Sequence, residues 1–190
     1  MATKKVYQTL EDRDNPDEIE KHGPFKCNKY NAWMGEGYYF WESFIDNAHW
    51  WGEECNSFEN GYVICEAIYI EHEDQCFNLI DNPEHMKMFN DTKDLMLKQG
   101  LYKDGETTVA RIIEFLRTKL KIFKYEAVRV NGVNSKSYRS SFSNRTIFDA
   151  RNPQKFLDTL PAYQICFYSI LNLRNFRIIF PDKYNEDYTG

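Results

Sequence analysis

The residues of this chain best suited to chemistry lie between Gly35 and Trp51, in the run GEGYYFWESFIDNAHWW. Side chains alternate along a strand, so Tyr39 and Phe40 are expected on opposite sides of one entered through Gly35 and Gly37, whose backbones can turn tightly. Ser43 is then placed to cap a short helix holding Ala48 and Trp50. Tyr39 and Trp50 are eleven residues apart across that corner. Such a corner can set two flat rings face to face, with a slot for a planar ring between them. The competing reading is a packed aromatic cluster that binds nothing. His49, beside Trp50, fits a surface helix better than a general base. Glu36, Glu42 and Glu53 are the carboxylates nearest the slot in sequence, and catalytic use of any of them would demand exacting geometry.

A second polar group lies in VNGVNSKSYRSSFSNR, where Lys136, Arg139 and Arg145 fall between Arg129 and Arg151. Charge-assisted hydrogen bonds from such a loop could hold a pyrophosphate or a target's phosphates, with Arg139 the first choice; a solvated loop is the alternative. The cysteines (Cys27, Cys55, Cys65, Cys76 and Cys166) are odd in number, scattered and without a CxxC. They read as reduced, buried thiols. His22 with Cys27 and His72 with Cys76 lack the paired spacing of a zinc site, so no metal is expected.

The elements that must position these residues follow from pattern. KKVYQTL reads as a first strand, and the charged residues 11–22 begin a short surface helix. GYVICEAIYI is rich in β-branched and aromatic residues and reads as a buried strand, with QCFNLI as a second strand or its continuation. Asn82-Pro83 is a helix start, and the helix runs to about Gly100 with Met86, Phe89, Met96 and Leu97 as inward candidates. Val109, Ile112, Ile113, Leu116 and Leu120 mark another helix over about 107–123. YEAVRV is a strand ending at the Asn131-Gly132 turn. Asn152-Pro153 suggests a short helix, and YQICFYSILNL with FRIIF closes the chain as one or two strands.

Strands and helices mix without regular βαβ repetition, which argues for an α+β fold with a mostly antiparallel or split sheet. The 190 residues, 42% hydrophobic and 16% aromatic, suffice for one core and would make two poorly buried halves. A net charge of -5 is unlike a general nucleic-acid binder. No apolar run approaches the ~20 residues of a membrane span. The opening MATKKVYQTLEDRDN has no apolar stretch long enough for a secretory signal, so a cytoplasmic location is expected. P-loop, GxGxxG, HExxH and GxSxG motifs are missing.

The run from Gly35 to Trp51 resembles the second motif of ADP-ribosyltransferases of the diphtheria-toxin and poly(ADP-ribose) polymerase type: G-x-G-x-Y-F, then further on a small residue, one other residue and an aromatic. In that family the two aromatics sandwich the nicotinamide of NAD, which implies Tyr39 and Trp50 here, with Trp50 where a second tyrosine is usual. The family's first motif is a strand ending in aromatic-His-Gly-Ser/Thr. In KKVYQTL, Gln8 takes the histidine position and Thr9 the glycine position; glutamine can still donate and accept hydrogen bonds. The third motif is a late strand carrying the catalytic glutamate. AYQICFYSILNLRNFRIIF resembles it, with Gln164 in the glutamate position. A neutral amide lacks the charge that stabilises an oxocarbenium-like transition state, and such a loss costs on the order of 10²–10³ in rate.

The resemblance implies a single ADP-ribosyltransferase-like domain over residues 1–190, with split, mostly antiparallel sheets and flanking helices. It implies NAD as substrate, Gln164 and Tyr39 in catalytic positions, and Gln8, Thr9, Gly37, Tyr39, Trp50 and Arg139 holding the dinucleotide. ADP-ribose would pass to an unknown protein or nucleic-acid acceptor, or to water. The missing histidine and glutamate leave open a module that binds NAD, ADP-ribose or a related nucleotide without turnover. A third reading is an α+β interaction protein whose aromatic run is core or partner surface.

Overall fold

The computed structural model describes residues 2–55, 58–132 and 144–184, excluding the Cys55 side chain. It is an α+β fold built on a mostly antiparallel seven-stranded sheet of order β4-β5-β8-β2-β1-β3-β9. The strands are β1 (Ala2–Glu11), β2 (Tyr38–Glu42), β3 (Tyr62–Glu71), β4 (Cys76–Asn78), β5 (Ala127–Asn131), β8 (Tyr163–Phe167) and β9 (Leu173–Phe180). Only the short β4 runs parallel to its neighbour, β5. A separate ribbon pairs β6 (Arg145–Ile147) with β7 (Phe156–Asp158).

Alternation divides the buried side chains between the two sheet faces. Val6, Phe40, Ala127, Ile165 and Phe167 pack together on one. Tyr7, Trp41 and Ile64 on the other face meet Ala48 and Trp50 of helix α2 (Ile45–Trp50). Tyr39, Val128 and Cys166 lie on that second face too, under Ile113 of helix α4 (Val109–Phe115). Helix α1 (Pro16–His22) is charged all round except for Ile19, which packs on Val63, Cys65 and Ile178. Helix α3 (Pro83–Lys98) begins as its sequence demands: the Asn82 side chain accepts from the Glu84 and His85 N–H groups, with proline at the first helical position.

Several sequence expectations shift in detail. Leu97 faces out; the buried positions of α3 are His85, Thr92 and Met96, and Phe89 packs partly buried against the core as expected. The helix expected to run to residue 123 changes at Leu116 into a π-helical turn that ends at Lys121, whose φ of 57° is left-handed. Ser43 does not cap α2; its own φ is 66° and Phe44 holds the cap position. The short helix expected after Pro153 is instead β7, because its residues find a partner strand in β6. No helix among the described residues is long and apolar enough to cross a membrane.

The feature that shapes the functional site is a fork. β1 pairs with β3 along its whole length, Ala2 through Glu11. With β2 it pairs only at Val6↔Glu42 and Tyr7↔Trp41. Beyond Tyr7 the two strands part, and the chain from Phe25 to Cys27 enters the gap. Cys27 bridges to Gly37, Cys27 N–H donating to Gly37 O at 2.8 Å and Gly37 N–H to Cys27 O at 3.1 Å.

Candidate functional site

At the mouth of this fork lies a cleft of about 710 Å³, within the size range of small-molecule sites. Gln8 and Thr9 of β1, Tyr39 of β2 and Gln164 of β8 all line it. Residues from three separate strands, chosen from sequence alone, therefore meet at one opening. Trp33, Trp41, Trp51 and Phe58 give the lining its aromatic character.

Three of the four have a local assignment. The Gln8 amide is committed to the chain: its Oε1 accepts from Phe25 N–H at 2.9 Å, and its Nε2 donates to Phe25 O at 2.8 Å and to Tyr39 O at 3.4 Å. It replaces the strand pairing that the fork removes. The Thr9 hydroxyl donates to Ala48 O at 2.9 Å and ties β1 to α2. The Tyr39 hydroxyl accepts from Met34 N–H at 2.8 Å and donates to Gly35 O at 2.7 Å, while Tyr168 donates to Met34 O at 2.8 Å. Two tyrosines thus pin the bend at Gly35, where φ is 88°. Burial, above all, raises the Tyr39 hydroxyl beyond its ordinary range.

Gln164 differs from the other three. It is only 6% exposed, sits between Trp41 and Val130 in the sheet, and lines the cleft. Its Oε1 has no hydrogen-bond partner among the described residues. A buried acceptor left unpaired costs roughly 1–3 kcal/mol, and such groups concentrate where a ligand or water completes them.

Gly37 and Trp50 stand outside the cleft lining. Gly37 is required by close approach: a Cβ there would lie 2.4 Å from Cys166 Sγ and 2.8 Å from Phe167 O. Trp50 is a correction to the expected sandwich. It is 4% exposed and meets Trp41 edge-on, with ring centroids 6.0 Å apart at 76°. Successive helical residues diverge by about 100°, so Trp50 points at the sheet and its neighbour Trp51 reaches the cleft. Trp51 meets Trp33 at 6.2 Å and 83°, making a corner of two walls rather than a parallel slot. The WW pair in the sequence signalled a choice between these rings; Trp33, from the preceding loop, carried no spacing signal. Arg139, with Lys136, lies outside the described residues.

The carboxylates near the slot in sequence are used elsewhere. Glu36 pairs with Lys26 at 2.5 Å, and Glu53 accepts from the Tyr62 hydroxyl at 2.7 Å. Glu42 is buried under the other face, bound by Arg129 at 2.5 and 3.0 Å and by Lys4 at 3.1 Å. His49 is half-buried rather than on the surface: its Nδ1 lies 2.9 Å from the Tyr62 hydroxyl, its ring meets Phe180, and burial lowers its pKa. Glu11 is the one carboxylate lining the cleft among the described residues, and it pairs with Arg13 at 2.8 Å. No protein-family model, curated protein or solved structure matches this chain. Among the described residues no group of three or more His, Cys, Asp or Glu side chains could hold a metal ion.

Proposed function

We propose that the cleft is a nucleotide-binding site of the NAD or ADP-ribose type on an ADP-ribosyltransferase-like α+β fold, and that it binds without transferring. The observation that carries this is the meeting of Gln8, Thr9, Tyr39 and Gln164 at one aromatic cleft in the fork between β1 and β2. In the family this sequence resembles, the corresponding motif positions surround the nicotinamide end of NAD. Aromatic walls suit a planar ring of any base, because stacking needs only a π-face.

Binding without turnover follows from the carboxylates. An oxocarbenium-like transition state needs a negative charge close by. Gln164 offers a neutral amide, and the lone cleft carboxylate among the described residues, Glu11, already faces Arg13. The test is calorimetric titration of NAD and ADP-ribose into the wild-type protein, Trp51→Ala and Tyr39→Ala, beside an assay for nicotinamide release. Saturable binding lost in Trp51→Ala, with no release, is the expected result. Wild-type binding that persists unchanged in both variants overturns the cleft assignment, and robust release overturns the non-catalytic reading.

A further inference from the structure

The charges around the cleft specify its ligand more narrowly, on the assumption that the cleft binds a nucleotide. Among the described residues three cations line it: Arg13, Lys26 and Lys29. Arg13 is neutralised by Glu11 at 2.8 Å and Lys26 by Glu36 at 2.5 Å. Lys29 has no ion-pair partner among the described residues, so the cleft carries a surplus positive charge on a chain whose net charge is -5. Deeper in, Gln164 contributes an amide where a carboxylate would be needed to hold a cationic ring.

We infer that the cleft selects nucleotides whose ring is neutral, an adenine nucleotide or a reduced nicotinamide nucleotide, over those carrying the cationic pyridinium of oxidised nicotinamide. Lys29 holds the phosphate at the mouth, and the ring stacks in the corner of Trp33 and Trp51. Trp33 is 44% exposed, which leaves ring surface for that contact. A pyridinium entering the same corner gives up hydration, and no unpaired carboxylate among the described lining residues offsets that cost, since Glu11 already pairs with Arg13. The tryptophan faces attract a cation and recover part of the loss. The net discrimination is therefore set at about tenfold rather than a hundredfold.

The experiment uses ligands with a single ring, so that no second ring can substitute for the first. Oxidised nicotinamide mononucleotide, its reduced form and AMP are titrated into wild type, Lys29→Ala and Gln164→Glu, with thermal unfolding confirming that each variant is folded. AMP and the reduced mononucleotide should bind about tenfold more tightly than the oxidised form. Lys29→Ala should weaken all three ligands, because each carries the phosphate that Lys29 holds. Gln164→Glu should raise affinity for the oxidised form alone. Lys29 is exposed, so its variant tests the electrostatics even if Gln164→Glu fails to fold. Equal or tighter binding of the oxidised form by wild type overturns the inference while the nucleotide cleft stands. Absence of binding by all three ligands overturns the nucleotide cleft and this inference with it.

Discussion

Replacing Gln8 with leucine separates two roles that the sequence could not distinguish, a contact to a nucleotide ribose and a clamp within the fold. The side chain is 5% exposed and makes two good hydrogen bonds with the Phe25 backbone, plus a longer one to Tyr39 O. Each good bond contributes about 1 kcal/mol net, and stranding its partner costs more where water cannot follow. Phe25 is partly exposed, so water can recover some of that loss. Leucine keeps the volume and adds apolar burial, which offsets a further fraction. The balance is a destabilisation of about 2 kcal/mol. In urea, with a slope of about 2 kcal/mol per molar, the midpoint should fall by roughly 1 M at unchanged slope. Gln8→Glu sharpens the test. Its carboxylate can accept from Phe25 N–H but cannot donate to Phe25 O, so protonation restores the missing bond. The introduced carboxyl should thus have its pKa raised by folding, and its stabilising contribution, present at low pH, should be lost as pH rises through that value. A Gln8→Leu protein that loses less than about 0.5 kcal/mol yet no longer binds nucleotide would refute the clamp and return Gln8 to the ligand.

Four further outcomes follow from the same geometry. Gly37→Ala should destabilise by about 1–3 kcal/mol, because its methyl group would collide with Cys166 Sγ and Phe167 O; equilibrium unfolding reads this directly. Glu42→Gln should cost about 3–5 kcal/mol, because it removes the buried charge shared by Arg129 and Lys4 and leaves Arg129 only the exposed Asp81, whereas replacing Glu42 and Arg129 together with apolar residues should cost less, as a double-mutant cycle would show. His85 has its pKa lowered from 6.5, first by burial, with Glu84 opposing and Lys124 assisting, and its Nδ1 accepts the Asn78 N–H at 2.9 Å. The folded state then binds fewer protons than the unfolded one, so this contribution is lost as pH falls below about 6.5; an NMR titration placing His85 above 6.5 would contradict it. Asp12 behaves oppositely to its burial: desolvation pushes its pKa up, but bonds from Asp14 N–H, Lys183 and Tyr184 hold it below 3.8. Its contribution should be present above pH 3.8 and fade as pH falls further, and Asp12→Asn should flatten the acid limb of stability against pH.

Local pattern was legible wherever one residue's neighbours in sequence are also its neighbours in space. β-Branched and aromatic composition marked β3, the Asn131-Gly132 turn marked the end of β5, the Asn82-Pro83 pair marked the start of α3, and apolar spacing marked Ile112, Ile113 and Leu116 as buried. The π-helical turn at Leu116–Leu120 and the β6–β7 ribbon were not legible, since a ribbon depends on which distant segment offers an edge. The same division runs through the site. Tyr39, Gln8, Thr9 and Gln164 could be named from their motif positions, because strand alternation and motif order are properties of the chain. Which tryptophan faces the cleft, which carboxylates are already paired, and what Gln8 holds were decided by the fork. There β1 and β2 part after two residue pairs and the Phe25–Cys27 segment fills the gap. By itself the sequence determined the types of residue at the site and the strands that carry them. Only the tertiary structure decided that Trp51 and Trp33 form the walls, Trp50 the core, and that Gln164 keeps a buried oxygen without a hydrogen-bond partner among the described residues. A ring's direction and a hydrogen bond's partner are settled by packing between segments far apart in the chain, and no local spacing encodes them.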